Sequence, residues 1–376
     1  MTTPALAKAR IAIIGGGPGG LTCARILQRR GLNATVYERD LTAEIRDQGG
    51  SLDLHEDNGQ IALREAGLLE EFFRLARPEG QQMRKLNSLG HVLDDELPEE
   101  GNLFKPEIDR GQLRDLLLAS LRPETVQWGK SLAYIEGPSY GPRWLRFEDG
   151  SSAEVDLVIG ADGAFSKVRS AVSEVVPYYS GVTFLEAWFH DIDQRHGELA
   201  ALIGQGTAFA ADGERCLVAQ RSSASRMRAY VVRRLPLNWM EDAGLFITDT
   251  NAIRAYLLDE FRDWSPRMKR LITDNDGPYV SRPLFVLPVP HKWEHVPTAT
   301  LLGDAAHLMP PLGVGVNLAM LDASDLACAL STSNTISEAV SCYEDLMLPR
   351  SIEIARMLEG AAEHLLRAHV SNADAQ

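Results

Sequence analysis

The sequence predicts an α/β protein: a Rossmann-like, doubly wound parallel sheet assembled from separated segments, with an inserted antiparallel sheet and a C-terminal helix. Three observations predict it. Residues 9–40 read as strand, glycine loop, helix and strand. Two later apolar runs, "DLVIGADG" and "ATLLGDAAH", each end in Gly closely followed by Asp. The chain between those runs alternates polar and apolar residues, as a half-buried antiparallel sheet does.

The first element begins with the β-branched run Ile11 to Ile14 and continues into Gly15, Gly17 and Gly20, in G-x-G-x-x-G spacing with Pro18 among them. Gly15 permits the tight turn, Gly17 allows close backbone approach to a pyrophosphate, and Gly20 allows the helix to lie near the strand. The helix N-terminus adds unpaired N–H groups and a positive dipole end. Ala34 to Tyr37 form the second strand, and Glu38 follows it, where a carboxylate accepts a ribose hydroxyl. These features together predict a dinucleotide and leave FAD and NAD(P) equally open.

The third run separates them. Asp304 stands just past a strand's carboxyl end, and "LAMLDASDLACAL" repeats at helical spacing after Asn317. A carboxylate there accepts hydrogen bonds from ribityl hydroxyls, which a nicotinamide dinucleotide lacks. Gly303, Gly313 and Gly315 leave backbone room beside a flat ring. A helix starting near Val316 and Asn317 aims its N–H groups at the flavin edge that gains charge on reduction. The second run places Asp162 and Gly163 as another loop on the same long cofactor. His307 reads as a structural histidine, because no nucleophile or metal partner stands near it in sequence.

Carrying "GGGPGG", "GADGAFSKVR" and "GDAAHLMPP" in that order, the chain resembles the single-component, class A flavin monooxygenases of the p-hydroxybenzoate hydroxylase type. It is most similar to the tetracycline-inactivating members, through "VYERD", "GGSLDLHEDNGQIALREAGLL" and "PEIDRGQLRDLLLASL". The resemblance implies that Glu38 and Arg39 hold the adenosine part, that Arg46 and Asp53 lie near the flavin and the nicotinamide approach, and that Arg110 and Asp304 complete the FAD contacts. A guanidinium at Arg110 also suits a pyrophosphate. The family often has Gln or Glu where Val314 stands, so a side-chain hydrogen bond is missing from a loop that reads one residue shorter. Pro310 and Pro311 would form a stiff wall beside the ring.

The implied chemistry belongs to the cofactor. Non-covalent FAD is reduced by NADPH or NADH, O2 adds at flavin C4a, and the hydroperoxide hydroxylates an aromatic or polycyclic small molecule, antibiotics of tetracycline type included. No catalytic side chain is obligatory. The alternatives are a non-oxygenating FAD oxidoreductase and a flavin-bound ligand-sequestering protein. Glu186, Trp188, His190 and Arg228 are substrate candidates, each equally readable as a surface or packing residue.

The motif spacing predicts a discontinuous FAD-binding domain (1–77, 105–174, 283–348), a substrate domain (78–104, 175–282), a C-terminal helix (349–370) that begins at a break or kink at Pro349, and a tail (371–376). The 376 residues carry a net charge of -14, which disfavours nucleic acid and anionic membranes. Cys23, Cys216, Cys328 and Cys342 have no metal or redox spacing. No apolar run suits a membrane span and no secretory start is visible. The expectation is a cytoplasmic monomer or weak dimer without stable membrane association.

Overall fold

The computed structural model describes residues 6–45 and 49–359. They divide into two compact units: one from the described residues up to Leu75, Arg110–Tyr178 and Phe285–Glu359, the other from Ala76–Asp109 and Tyr179–Leu284.

The first unit is built on a five-stranded sheet in the order Ala299–Leu301, Leu157–Gly160, Ile11–Ile14, Ala34–Tyr37, Val126–Gln127. All four pairings are parallel. Ile11–Ile14 and Leu157–Gly160 are buried at every position, as central parallel strands covered on both faces must be. From Ile11–Ile14 the chain reaches one neighbour, Ala34–Tyr37, through the helix Pro18–Arg29, while Leu157–Gly160 lies on its other side. The carboxyl end of the first strand is therefore a topological switch point, the usual place for a ligand in an open α/β sheet.

Glycine allows the first helix to pack closely. A Cβ on Gly20 would collide with the Gly15 carbonyl, and one on Gly19 would stand 3.0 Å from the Ala319 carbonyl of the helix Gly315–Thr332. Gly15 itself has φ +109°, a conformation that favours glycine. A three-stranded antiparallel sheet, Leu132–Glu136, Arg143–Phe147 and Ser152–Val155, also belongs to this unit, and the Phe147 ring sits 4.8 Å from that of Tyr37.

The helix Ile336–Leu358 runs through Pro349 without a break, so a separate helix from 349 does not exist. A proline in a helix interior costs about 3 kcal/mol. Burial of Tyr343, Glu344 and Met347 before it and Ser351 after it offsets that cost. The rest of the expected terminal helix, from 360, lies outside the described residues.

The second unit is a seven-stranded sheet in the order Val280–Val286, Tyr178–Phe189, Arg226–Arg234, Arg215–Ser222, Thr207–Asp212, Met83–Leu86, Val92–Glu96. Tyr178–Phe189 with Arg226–Arg234, Arg226–Arg234 with Arg215–Ser222, Arg215–Ser222 with Thr207–Asp212, and Met83–Leu86 with Val92–Glu96 pair antiparallel, whereas Thr207–Asp212 pairs parallel with Met83–Leu86. Alternate residues divide its faces. Leu185, Phe189, Leu217, Met227 and Val231 form a core with Leu199, Ile253, Leu257, Phe261 and Met268 of the covering helices. The opposite face carries Phe184, Phe209, Val218 and Tyr230. Among the described residues, no helix is long and apolar enough to cross a membrane.

Candidate functional site

Three loops leave neighbouring strands of the parallel sheet at their carboxyl ends: Gly15–Gly17, Ala161–Gly163 and Gly303–Asp304. The first begins where the Gly15 N–H donates to the Tyr37 carbonyl at 2.9 Å. Gly17 is the helix N-cap in an extended conformation, no side chain caps the end, and Pro18 occupies the first turn. A Cβ on Gly17 would meet nothing within 4 Å. Open N–H groups beside open space suit an anion.

Glu38 is buried, and its carboxylate accepts from Gly16 N at 2.6 Å and from Asp40 N at 3.0 Å. The glycine loop thus fixes the acid that ends the second strand. Arg39 beside it is exposed. Arg110 is exposed at the start of the helix Arg110–Ser120, and its N–H donates to the Gly50 carbonyl at 2.9 Å. Arg46 lies outside the described residues.

In the second loop, Asp162 Oδ2 accepts from Lys167 N at 2.7 Å and Val168 N at 3.3 Å. Its Oδ1 is buried with no hydrogen-bond partner. Burial pushes this carboxyl above its ordinary range and outweighs the hydrogen bonds that favour the charge. An orphaned acceptor of this kind fits a ligand hydroxyl.

The third loop is gripped from three sides. Arg169 donates to the Ala164, Ala305 and Asp304 carbonyls at 2.9, 2.8 and 3.1 Å. His291 Nδ1 lies 2.6 Å from the Ala306 carbonyl. Gly303, with φ +59°, donates its N–H to Asp322 at 3.0 Å, and His307 and Arg350 reach the same carboxylate. Asp304 itself is exposed, and no described residue hydrogen-bonds its carboxylate. His307 is buried in this ion pair.

The last helix of the site starts at Gly315, earlier than the expected Val316 or Asn317, with Val314 as an N-cap that offers no side-chain bond. Val316 is partly buried, and Asn317 is buried and clamps two segments. Its Oδ1 accepts from His55 N at 2.8 Å and Gly59 N at 3.3 Å, and its Nδ2 donates to the Asp53 and Gly313 carbonyls at 2.8 and 3.0 Å. His55 Nε2 stands 3.0 Å from Asp53 Oδ2. Gly313 has φ +84°, and a Cβ there would come 3.4 Å from that same carboxylate. Pro310 is partly buried and Pro311 exposed.

In the second unit, Glu186, Trp188 and Arg228 meet on one face of the sheet. Arg228 pairs with Glu186 at 3.3 Å, and its guanidinium lies over the Trp188 ring at 4.1 Å. Arg282 approaches Glu186 at 3.5 Å. His190, two residues on from Trp188, is exposed, stacks with the Trp188 ring at 6.3 Å between centroids and lies 3.0 Å from Asp276. Spacing did not reveal Asp322, His55 or the roles of Asn317 and Arg169. The available signal was a carboxylate within an apolar helical run, "LAMLDASDLACAL". Among the described residues, no group of three or more His, Cys, Asp or Glu could hold a metal ion.

Comparison with known proteins agrees with this geometry. The family model described as "FAD binding domain" matches residues 8–234 and 298–339. Monooxygenase penA of Penicillium thymicola is 32% identical, covering 91% of this chain and 92% of its own. The 3-amino-4-hydroxybenzoate 2-monooxygenase of Streptomyces cremeus is 28% identical over 94% of this chain and 87% of its own. In three dimensions, the tetracycline destructase Tet(55) superposes with TM-score 0.74 at 19% identity, covering 97% of this chain and 91% of that one, which shows a shared fold. Open helix ends, an orphaned carboxylate oxygen and an unengaged aspartate at one edge of a parallel sheet fit FAD, and the match spans most of the sequence. The chain belongs to the family of FAD-dependent monooxygenases.

Proposed function

We propose that this FAD monooxygenase uses NADPH or NADH and O2 to hydroxylate an aromatic or polycyclic small molecule. The observation that carries the reading is the trio of loops at adjacent strand ends, the first with an uncapped helix N-terminus and the other two with the open carboxylate oxygens of Asp162 and Asp304. Bound FAD, once reduced by the nicotinamide, supplies the oxygen activation. The protein binds and orients.

Glu38, locked by the Gly16 N–H, accepts the adenosine ribose hydroxyls, with Arg39 beside it. The uncapped N-terminus after Gly15 and Gly17, packed closely through Gly20, takes the pyrophosphate together with Arg110. Asp162 and Asp304 accept hydrogen bonds from the cofactor's polyol part. The Gly315–Thr332 helix directs its free N–H groups, from Gly315, Val316 and Asn317, at the flavin edge that becomes anionic, and Gly303, Pro311 and Gly313 leave the ring room. Asp53, and Arg46 by family resemblance, serve the same region. Trp188 with Arg228 and Glu186 offers an aromatic and polar surface for substrate; Pro310 and His190 are secondary candidates. We further propose a cytoplasmic monomer or weak dimer that engages neither nucleic acid nor membrane.

The test is isotopic. Purified protein with FAD is screened against small phenols, aminophenols and tetracyclines for stimulated NADPH or NADH oxidation under 18O2. One labelled oxygen atom in the product supports the reading. Turnover without the label makes the protein a non-oxygenating oxidoreductase, and tight binding without turnover makes it a sequestering protein.

A further inference from the structure

We infer that Asp322 is a positioning residue for cofactor binding: with His307 and Arg350 it holds the Gly303 peptide, and through it the direction of the Asp304 carboxylate. This deepens the reading of Asp304 as a contact to the FAD polyol chain and rests on it.

Asp322 is 0% exposed on the helix Gly315–Thr332. One oxygen accepts from both Gly303 N at 3.0 Å and His307 Nε2 at 2.6 Å; the other accepts from Arg350 Nη2 at 2.9 Å, while Arg350 also binds Asp325 at 2.8 Å. A buried carboxylate without cations would be costly, so His307 and Arg350 are what allow it to stand beneath the loop. Gly303 cannot be replaced by packing alone, because its φ is positive and a Cβ would meet that of Ala319 at 2.8 Å. The carbonyls of residues 304, 305 and 306 are all taken by Arg169 and His291, so the exposed Asp304 carboxylate projects from a turn whose backbone is held. A rigid acceptor loses little entropy on binding.

The device has a charge requirement. Burial alone lowers the His307 pKa, but Asp322, by attraction and hydrogen bond, and Asp304 more weakly, raise it above its ordinary 6.5. Burial likewise raises Asp322, and His307 and Arg350 reverse that to hold it below 3.8. The other groups facing the pair are Asp325, Tyr343, whose pKa lies well above 10, and His291, which burial holds below 6.5. The imidazolium therefore supports the loop while Asp322 is ionised and His307 protonated, and the support is lost as pH rises through the raised His307 pKa.

A double-mutant cycle on FAD affinity tests the inference, read by flavin fluorescence quenching with unfolding of the FAD-free protein measured in parallel. Asp322→Asn should weaken FAD about tenfold, the scale of one hydrogen bond to a charged group. In an Asp304→Ala background the same change should cost less than about twofold, because the affected contact is already gone. His307→Gln serves as the second variant if Asp322→Asn folds poorly, and it should also remove the weakening of FAD binding that the wild type shows as pH rises through the raised His307 pKa. Additive effects, or an unchanged affinity in both variants beside a weakened Asp304→Ala, overturn the inference alone. An unchanged Asp304→Ala overturns it together with the reading beneath it.

Discussion

Two glycines in one loop should separate stability from cofactor binding. Gly20 lies in the first turn of its helix, where alanine is favoured by about 1 kcal/mol on propensity. Its Cβ would nevertheless be driven into the Gly15 carbonyl and stand 3.2 Å from both Ala161 Cβ and Ile13 Cγ2. Relief requires the helix to retreat from the strand by roughly 1 Å, given ordinary contact distances near 3.5 Å. Overpacking costs about 1–3 kcal/mol, and collision with a backbone oxygen puts this site at the upper end, so Gly20→Ala should lose about 2 kcal/mol net. Gly17 is the contrasting case: φ -80° and ψ 177° suit any residue, and no atom lies within 4 Å of the new methyl group. Gly17→Ala should leave the FAD-free protein within about 0.5 kcal/mol of wild type, as neutral surface changes do. It should still weaken FAD about tenfold or more, equal to 1.4 kcal/mol, because the methyl group occupies the space reserved for the pyrophosphate. Urea unfolding of the FAD-free proteins and FAD titration measure both quantities. Wild-type FAD affinity in Gly17→Ala would refute the pyrophosphate placement, and wild-type stability in Gly20→Ala would refute the packing argument.

Three further outcomes follow from particular residues. In the native protein, a disulfide thiol reagent at pH 8 should label Cys328 and Cys342 rapidly and spare Cys23 and Cys216, whose buried thiols are pushed up to about 12; mass mapping of the labelled peptides reads this directly. Since Asp162 is raised above 3.8 by burial, it binds protons more tightly in the folded state, and its contribution to stability is lost as pH rises through that raised value. Asp162→Asn should therefore flatten that part of the stability profile, seen by unfolding the FAD-free protein across mildly acidic pH, and weaken FAD as the polyol acceptor goes. Arg228→Ala should raise KM for whichever aromatic compound stimulates turnover while leaving FAD affinity unchanged, because its partners Glu186 and Trp188 are all in the sheet of the second unit; a matching loss of FAD would refute that separation.

What the sequence determined by itself was local in the chain. The β-branched run, the glycine spacing and Glu38 sit within thirty-odd residues, so strand, helix and strand, and the acid that follows them, are legible from periodicity and turn chemistry. Asp162 and Asp304 were legible for the same reason, each just past a short buried run. Alternation likewise marked the inserted sheet, although one strand pairing in it is parallel, which alternation cannot report because both pairings present side chains with period 2. Pro349 misled as a helix breaker because its cost is intrinsic to the residue, whereas the burial that offsets it is not. Tertiary structure alone decided how the loops are held. Asn317 bonds to Asp53 across 264 positions, Arg169 to Ala305 across 136, and the Asp322 carboxylate collects a glycine N–H, an imidazole and a guanidinium from three places in the chain. No periodicity encodes such partners. They come together only when parallel strands distant in sequence align their carboxyl ends, and burial then makes each unpaired charge so costly that the fold must supply its counterpart.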